Sequence, residues 1–120
     1  MTRQFESVVA TTKLGIDGVV FTDSALQDLA DSSAGKPVLL DCDPMKPVGV
    51  VRASRVIDGQ LVIRWEADVD FSPGMKPVPC FISKQCIVNG DQQTIQSAQP
   101  CSYGLTSSLS ELDLPETKEL

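Results

Sequence analysis

The chain has 120 residues, 42% of them hydrophobic and 22% charged, with a formal net charge of −6 and no histidine. That length supports one domain with a hydrophobic core and is short for two, and the near-average composition excludes a chain that is disordered or membrane-embedded in bulk. The acidic balance excludes the electrostatic footprint of nucleic-acid binding, and the missing imidazole removes both the usual general base and the commonest metal ligand.

The opening stretch MTRQFESVVATTKLG holds no apolar run long enough for a signal peptide. No segment reaches bilayer length, so the expected setting is a cytoplasm, with no membrane partner. Residues 5–13 carry the β-branched residues Val8, Val9, Thr11 and Thr12 and suggest a first strand, followed by a turn at Gly15 and Gly18 leading to Val19, Val20 and Phe21. Residues 1–12 are nevertheless poor in apolar side chains, and the segment is expected to act as an N-terminal arm with Phe5 as an anchor for another surface. The period then changes. Thr22, Asp23 and Ser24 offer N-cap oxygens, Ser24 with Gln27 fits a weak capping box, and Ala25, Leu26, Leu29 and Ala30 line one helical face before Ser33 and Gly35. Such a helix of about three turns covers one face or an open end of a sheet.

After Gly35 the pattern is strand-like. Val38, Leu39 and Leu40 run into the proline-bracketed loop Asp43-Pro44-Met45-Lys46-Pro47. Residues 48–57 and 60–69 flank Asp58-Gly59, a two-residue turn suited to antiparallel strands. In the second of these, Leu61, Ile63, Trp65, Ala67 and Val69 alternate with Val62, Arg64, Glu66 and Asp68, which predicts one buried and one wet face. Residues 72–79, SPGMKPVP, are expected to be a loop because each proline removes a ladder donor. Two further strands, 80–88 and 94–106, surround Asn89-Gly90. The expected fold is mainly β, in the α+β sense: a small, mostly antiparallel barrel or sandwich of six to seven strands with one covering helix. A single β-rich domain would occupy residues 1–108. From Leu109 the chain holds Glu111, Asp113, Glu116 and Glu119 against Lys118 alone, an acidic C-terminal tail over 109–120 in which Leu109, Leu112 and Leu114 are spaced like anchors for a partner.

The chemistry-bearing residues are few. Cys42, Cys80, Cys86 and Cys101 contain no C-x-x-C spacing and no neighbouring histidine, so they read as small hydrophobes rather than a zinc site or a disulfide framework. Asp41 and Asp43 are two carboxylates without the further oxygen ligands a hard cation needs, and Asp-x-Asp-Pro is also simply a good turn. Cys42 lies between those carboxylates, which disfavour its thiolate. Ser83 and Lys84 are adjacent strand residues that point to opposite faces, which argues against a Ser-Lys dyad. Neither a metal nor a cofactor is called for.

The segment GKPVLLDCDPMKPVGVV, with the helix before it and the long hairpin and strands after it, resembles the capsid maturation (prohead) proteases of tailed bacteriophages, related in fold to herpesvirus assemblins. Asp43, Pro44, Lys46, Pro47, Val48 and Gly49 match the family pattern, while Cys42 stands at the position of its catalytic histidine. Cys80-Phe81-Ile82-Ser83 is a poor counterpart of the strand that bears the nucleophile, which makes Ser83 the degenerate nucleophile position. Residues 95–106 look like the family's last strand, but the acidic residue that often precedes its x-Ser-Leu-Val sequence has no counterpart there. The resemblance covers roughly residues 18–106. It implies a catalytically degenerate member of that fold: a non-catalytic virion protein, a capsid decoration or cement subunit that binds the major capsid protein and is homo-oligomeric or bound to the capsid lattice. Two alternatives stand beside it, a residual or non-canonical prohead protease and a small cytoplasmic β-barrel adaptor.

Overall fold

The computed structural model describes residues 3–13, 18–41, 43–67, 76–106 and 117–120. In chain order they form β1 (Arg3–Thr11), β2 (Val19–Phe21), α1 (Asp23–Ser32), β3 (Pro37–Leu40), β4 (Pro47–Ile57), β5 (Gln60–Ala67), β6 (Lys76–Asn89), β7 (Gln92–Thr106) and β8 (Lys118–Glu119). Among the described residues the fold is mainly β with one helix. All the strands join one mixed sheet in the order β2-β7-β3-β4-β5-β1-β8, with β6 also on β7. Most pairings are antiparallel, but β2 and β3 run parallel to β7.

The arrangement around β7 explains the helix. β2 and β6 both pair with Gln93, Thr94 and Ile95, so they must lie on opposite edges of β7. By the same reasoning β3, which pairs with Tyr103, Gly104 and Leu105, lies on the edge that β2 uses. The two short strands therefore sit end to end along one edge, and α1 bridges the gap between them. Backbone groups left without a strand partner there are met from the helix side. Asp28 accepts from Ala98 N–H at 3.3 Å and from the Ser97 hydroxyl at 2.8 Å, and Thr22 N–H donates to Ile95 C=O at 3.0 Å.

Helix α1 buries Ala25, Leu26, Leu29 and Ala30, the face that its spacing predicts. Its N-cap is Thr22, whose Oγ1 accepts from Ala25 N–H at 3.1 Å, rather than Ser24. Thr22 holds the extended backbone that an N-cap requires, and Ser24 already lies inside the helix. At the other end the Ser33 hydroxyl donates to Leu29 C=O, so Tyr103 O–H is the donor to Ser33 Oγ, at 2.6 Å. Burial raises the Tyr103 pKa to about 12.

The core lies between α1 and the inner face of β1, β3, β5 and β7. Leu61, Ile63, Trp65 and Ala67 are all buried, as their alternation predicts, with Arg64 outside, whereas Val62, expected on the wet face, is buried as well. Asp58 and Gly59, at φ 52° and 73°, form the β4–β5 turn with the two positive φ values of a type I′ hairpin. Gly49, one of the residues carrying the family resemblance, packs where an added Cβ would run into Glu66 C=O.

Three expectations are corrected. Residues 3–11 are not a free arm but strand β1, lodged between β5 and β8. Phe5 is 1% exposed and stacks on Trp65 with ring centroids 4.7 Å apart, so it anchors this chain's own core rather than another surface. Secondly, the proline-rich stretch becomes strand at Lys76, with Pro77 and Pro79 inside β6. The ladder tolerates them because, among the described residues, β6 pairs on one side only, and a proline on an edge strand leaves no required donor unmade. Thirdly, the end of the acidic tail is paired. Phe5 and Glu6 face Glu119 and Lys118, Leu120 N–H donates to Gln4 C=O at 2.8 Å, and Arg3 grips Glu119 through two nitrogens at 2.7 and 2.8 Å.

Candidate interaction surface

The residues singled out for chemistry do not converge. Asp41 N–H donates to Leu105 C=O, which places the Asp41–Asp43 loop at the far end of β7. Ser83 faces Ala98, seven residues back along the same strand, and at about 3.3 Å per residue the two points are roughly 20 Å apart. Ser83 is also exposed on the outer strand of a hairpin. Asp43 turns its carboxylate onto its own loop, where Oδ1 accepts from Met45 N–H at 2.9 Å, the self-capping role open to Asp in such a turn. Cys42, Leu109, Leu112 and Leu114 lie outside the described residues. Cys86 and Cys101 are exposed free thiols, and among the described residues no three His, Cys, Asp or Glu side chains come together as metal ligands. A shallow depression lined by Ala53, Ser54, Arg55, Val62 and Arg64 is mouthed by two arginines, but both are held by Glu6, at 3.6 Å and 3.1 Å.

The feature that stands out is the β6–β7 hairpin. Every residue from Ile82 to Gln93 is exposed. At about 3.3 Å per residue, β7 alone is comparable in length to the molecule's longest dimension of 45 Å. The hairpin turns at Gly90-Asp91, with Gly90 at φ 64° supplying the positive φ that the first turn position of a type II′ hairpin demands. Phe81 still reaches the core and meets Phe21 edge-on at 5.3 Å, but beyond it the hairpin leaves the core behind. Ile82, Ile87 and Val88 are 59%, 51% and 66% exposed. Ile82 faces Gln99 and Ile87 faces Thr94, so this surface is a mixture of apolar and uncharged polar side chains.

The sequence carries a signal for this surface that residue-by-residue inspection passes over. From Gln85 to Leu105 the only charged residue is Asp91, in a chain that is 22% charged overall. Charge depletion combined with exposed branched aliphatics distinguishes the centre of a protein interface from ordinary wet surface. Gln, Ser, Thr and Cys are not catalytic flags, so a search for chemistry does not stop on them.

No family model, curated protein or solved structure matches the chain.

Proposed function

We propose that the chain is a non-catalytic structural subunit of a phage virion, a capsid decoration or cement protein that attaches to the major capsid protein through the outward face of its β6–β7 hairpin. The observation that carries this reading is the exposed, charge-poor hairpin whose outward face leaves Ile82 and Ile87 uncovered, a surface suited to burial in an assembly. The wide separation of Ser83 from the Asp41–Asp43 loop supports a binding role over a hydrolytic one, because a nucleophile and its activating groups must lie within hydrogen-bond reach. The phage context comes from the resemblance of residues 37–49 to the prohead proteases.

The test is the composition of mature particles. Virions purified from the phage that encodes the chain should contain it in a fixed stoichiometric ratio to the major capsid protein, and Ile82→Lys should lower that ratio. Its absence from mature particles would overturn the reading. Cleavage of a co-expressed scaffold that Ser83→Ala abolishes would establish the protease alternative instead.

A further inference from the structure

We infer that the free edge of β6 joins two copies of this chain, by antiparallel pairing of residues 85–89 about a two-fold axis near Ile87. β6 pairs only with β7, so its outer edge presents backbone donors and acceptors with no strand partner among the described residues. Natural sheets guard such an edge with prolines, charges and bulges. Here the guards are confined to one half. Pro77 and Pro79 lie in the first part of β6, the pairing slips between Cys80 and Phe81 and again around Gln85, and Lys84 stands at the boundary. Past Gln85 the strand reads Cys86-Ile87-Val88-Asn89, regular in its pairing, uncharged and free of proline.

Charge selects a second copy as the occupant. A chain with a net charge of −6 repels itself over most of its surface, and this uncharged stretch is where two copies can approach without stacking like charges. The two charges that flank the stretch, Lys84 and Asp91, are both exposed and have opposite signs. Antiparallel pairing about Ile87 sets Lys84 of one copy across from Gly90 of the other, one residue from that copy's Asp91, once at each end of the interface. A parallel arrangement would put like on like. The two-fold is perpendicular to the sheet, so the pairing closes on itself and yields a dimer rather than a fibre. It also sets the outward faces of two hairpins side by side, doubling the apolar surface that carries Ile82 and Ile87. The inference concerns the edge of β6, whereas the proposed capsid attachment uses its outward face, and either can fail alone.

The experiment is the oligomeric state of the purified full-length chain, without any capsid component, by sedimentation equilibrium, with amide exchange on β6. The wild type is expected to dimerise reversibly with concentration, and amides within 85–89 should gain protection in parallel. Ile87→Lys, which places two like charges at the two-fold, should weaken dimerisation at least tenfold. Lys84→Asp should also weaken it, and adding Asp91→Lys to that variant should restore it, a rescue that a merely structural effect of either residue would not give. Ile57→Lys, exposed elsewhere on the sheet, should leave the dimer unchanged. A wild type monomeric at every concentration, a dimer indifferent to Ile87→Lys, or failure of the charge-reversed pair to rescue would each overturn the inference. Protection of the β6 amides only when capsid protein is added would do the same and assign the edge to the capsid.

Discussion

Two exposed β surfaces of this molecule are built to opposite rules. On the outer face of β1, β4 and β5, charged side chains answer one another across strands: Glu6 meets Arg64 and Arg55, Glu66 meets Arg52 at 3.0 Å and Gln4 at 3.3 Å, and at the rim Arg3 meets Glu119. On the β6–β7 hairpin the corresponding positions are Ile82, Ile87, Gln85, Gln99 and Thr94, none of which can answer another by charge. Cross-strand ion pairs at exposed positions add little stability, but they make a surface that is content in water and repels an unselected sheet. The hairpin lacks that protection. Exposure alone therefore does not mark a binding surface; the difference lies in whether the exposed groups are satisfied within the chain.

The comparison breaks first if the two regions are equally tied to the core. Trp65 underlies the charged face, 1% exposed, stacked on Phe5 and donating through Nε1 to Ser7 Oγ at 2.9 Å. Trp65→Ala should cost about 3–5 kcal/mol, a large part of the stability of a small domain, whereas Val88→Ala on the hairpin should stay within about 0.5 kcal/mol. Urea denaturation of both variants measures the contrast. Indole emission of the wild type should be blue-shifted and move red on unfolding. Comparable losses for the two substitutions would mean that the hairpin contributes to the core.

A smaller effect comes from pH. Tyr103 in β7 has its pKa raised by burial to about 12, above the ordinary value of 10.0. The folded state therefore holds this proton more tightly than the unfolded chain. The stabilisation is complete below pH 10 and falls as pH rises toward 12, by roughly 1.4 kcal/mol per pH unit in that window. Tyr103→Phe should flatten the slope while leaving Ser33 with its bond to Leu29 C=O. A slope unchanged in Tyr103→Phe would assign the alkaline loss to other groups.

Next in size is the bond between helix and sheet. Asp28→Ala removes the acceptor for Ala98 N–H and the Ser97 hydroxyl on the stretch of β7 that neither β2 nor β3 covers. A loss of about 1–3 kcal/mol is expected, the usual cost of leaving such donors unmet. Asp28→Asn, which keeps an acceptor oxygen, should recover part of it. Thermal unfolding of the two variants separates the lost bond from a mere change of helix propensity.

Much of the sheet is legible in the sequence, and the failures share a cause. The β5 alternation, the Asp58-Gly59 turn and the Ala25-Leu26-Leu29-Ala30 face are local patterns, and the structure follows them. Position within the sheet is not local. Pro77 and Pro79 suggest a loop until β6 proves to be an outer strand, and Phe5 looks like a spare anchor until β1 is seen beside β5. Thr117, Lys118 and Glu119 look like tail because their partners are more than a hundred residues away in sequence. The same limit governs the functional reading. Ser83, Asp41 and Asp43 attract notice by residue type, but only the register along β7 shows how far apart they stand. The hairpin's charge depletion is plain in the sequence, yet without the fold nothing distinguishes an exposed charge-poor strand from a buried one.

The smallest expected effect sharpens the comparison at its charged end. Glu119 is exposed, and the two-nitrogen grip of Arg3 lowers its pKa below the usual carboxylate value. A depressed carboxylate pKa contributes stability that is present above the unfolded value and lost as pH falls through the folded one. Solvent screens this pair strongly, so no shift of the global unfolding midpoint is expected. The local readout is the Leu120 amide, which donates to Gln4 C=O only while β8 stays on β1. Its exchange, corrected for the intrinsic pH dependence, should accelerate as Glu119 protonates, and Arg3→Ala should give the accelerated rate already at neutral pH. Ser7, whose Oγ lies 2.7 Å from Thr117 Oγ1 and also accepts from Trp65, provides a second tie between this segment and the core that acid does not break. The acid-induced acceleration should therefore be partial in the wild type and larger in Ser7→Ala. Equal acceleration in the two would mean that the ion pair alone holds the C-terminal strand.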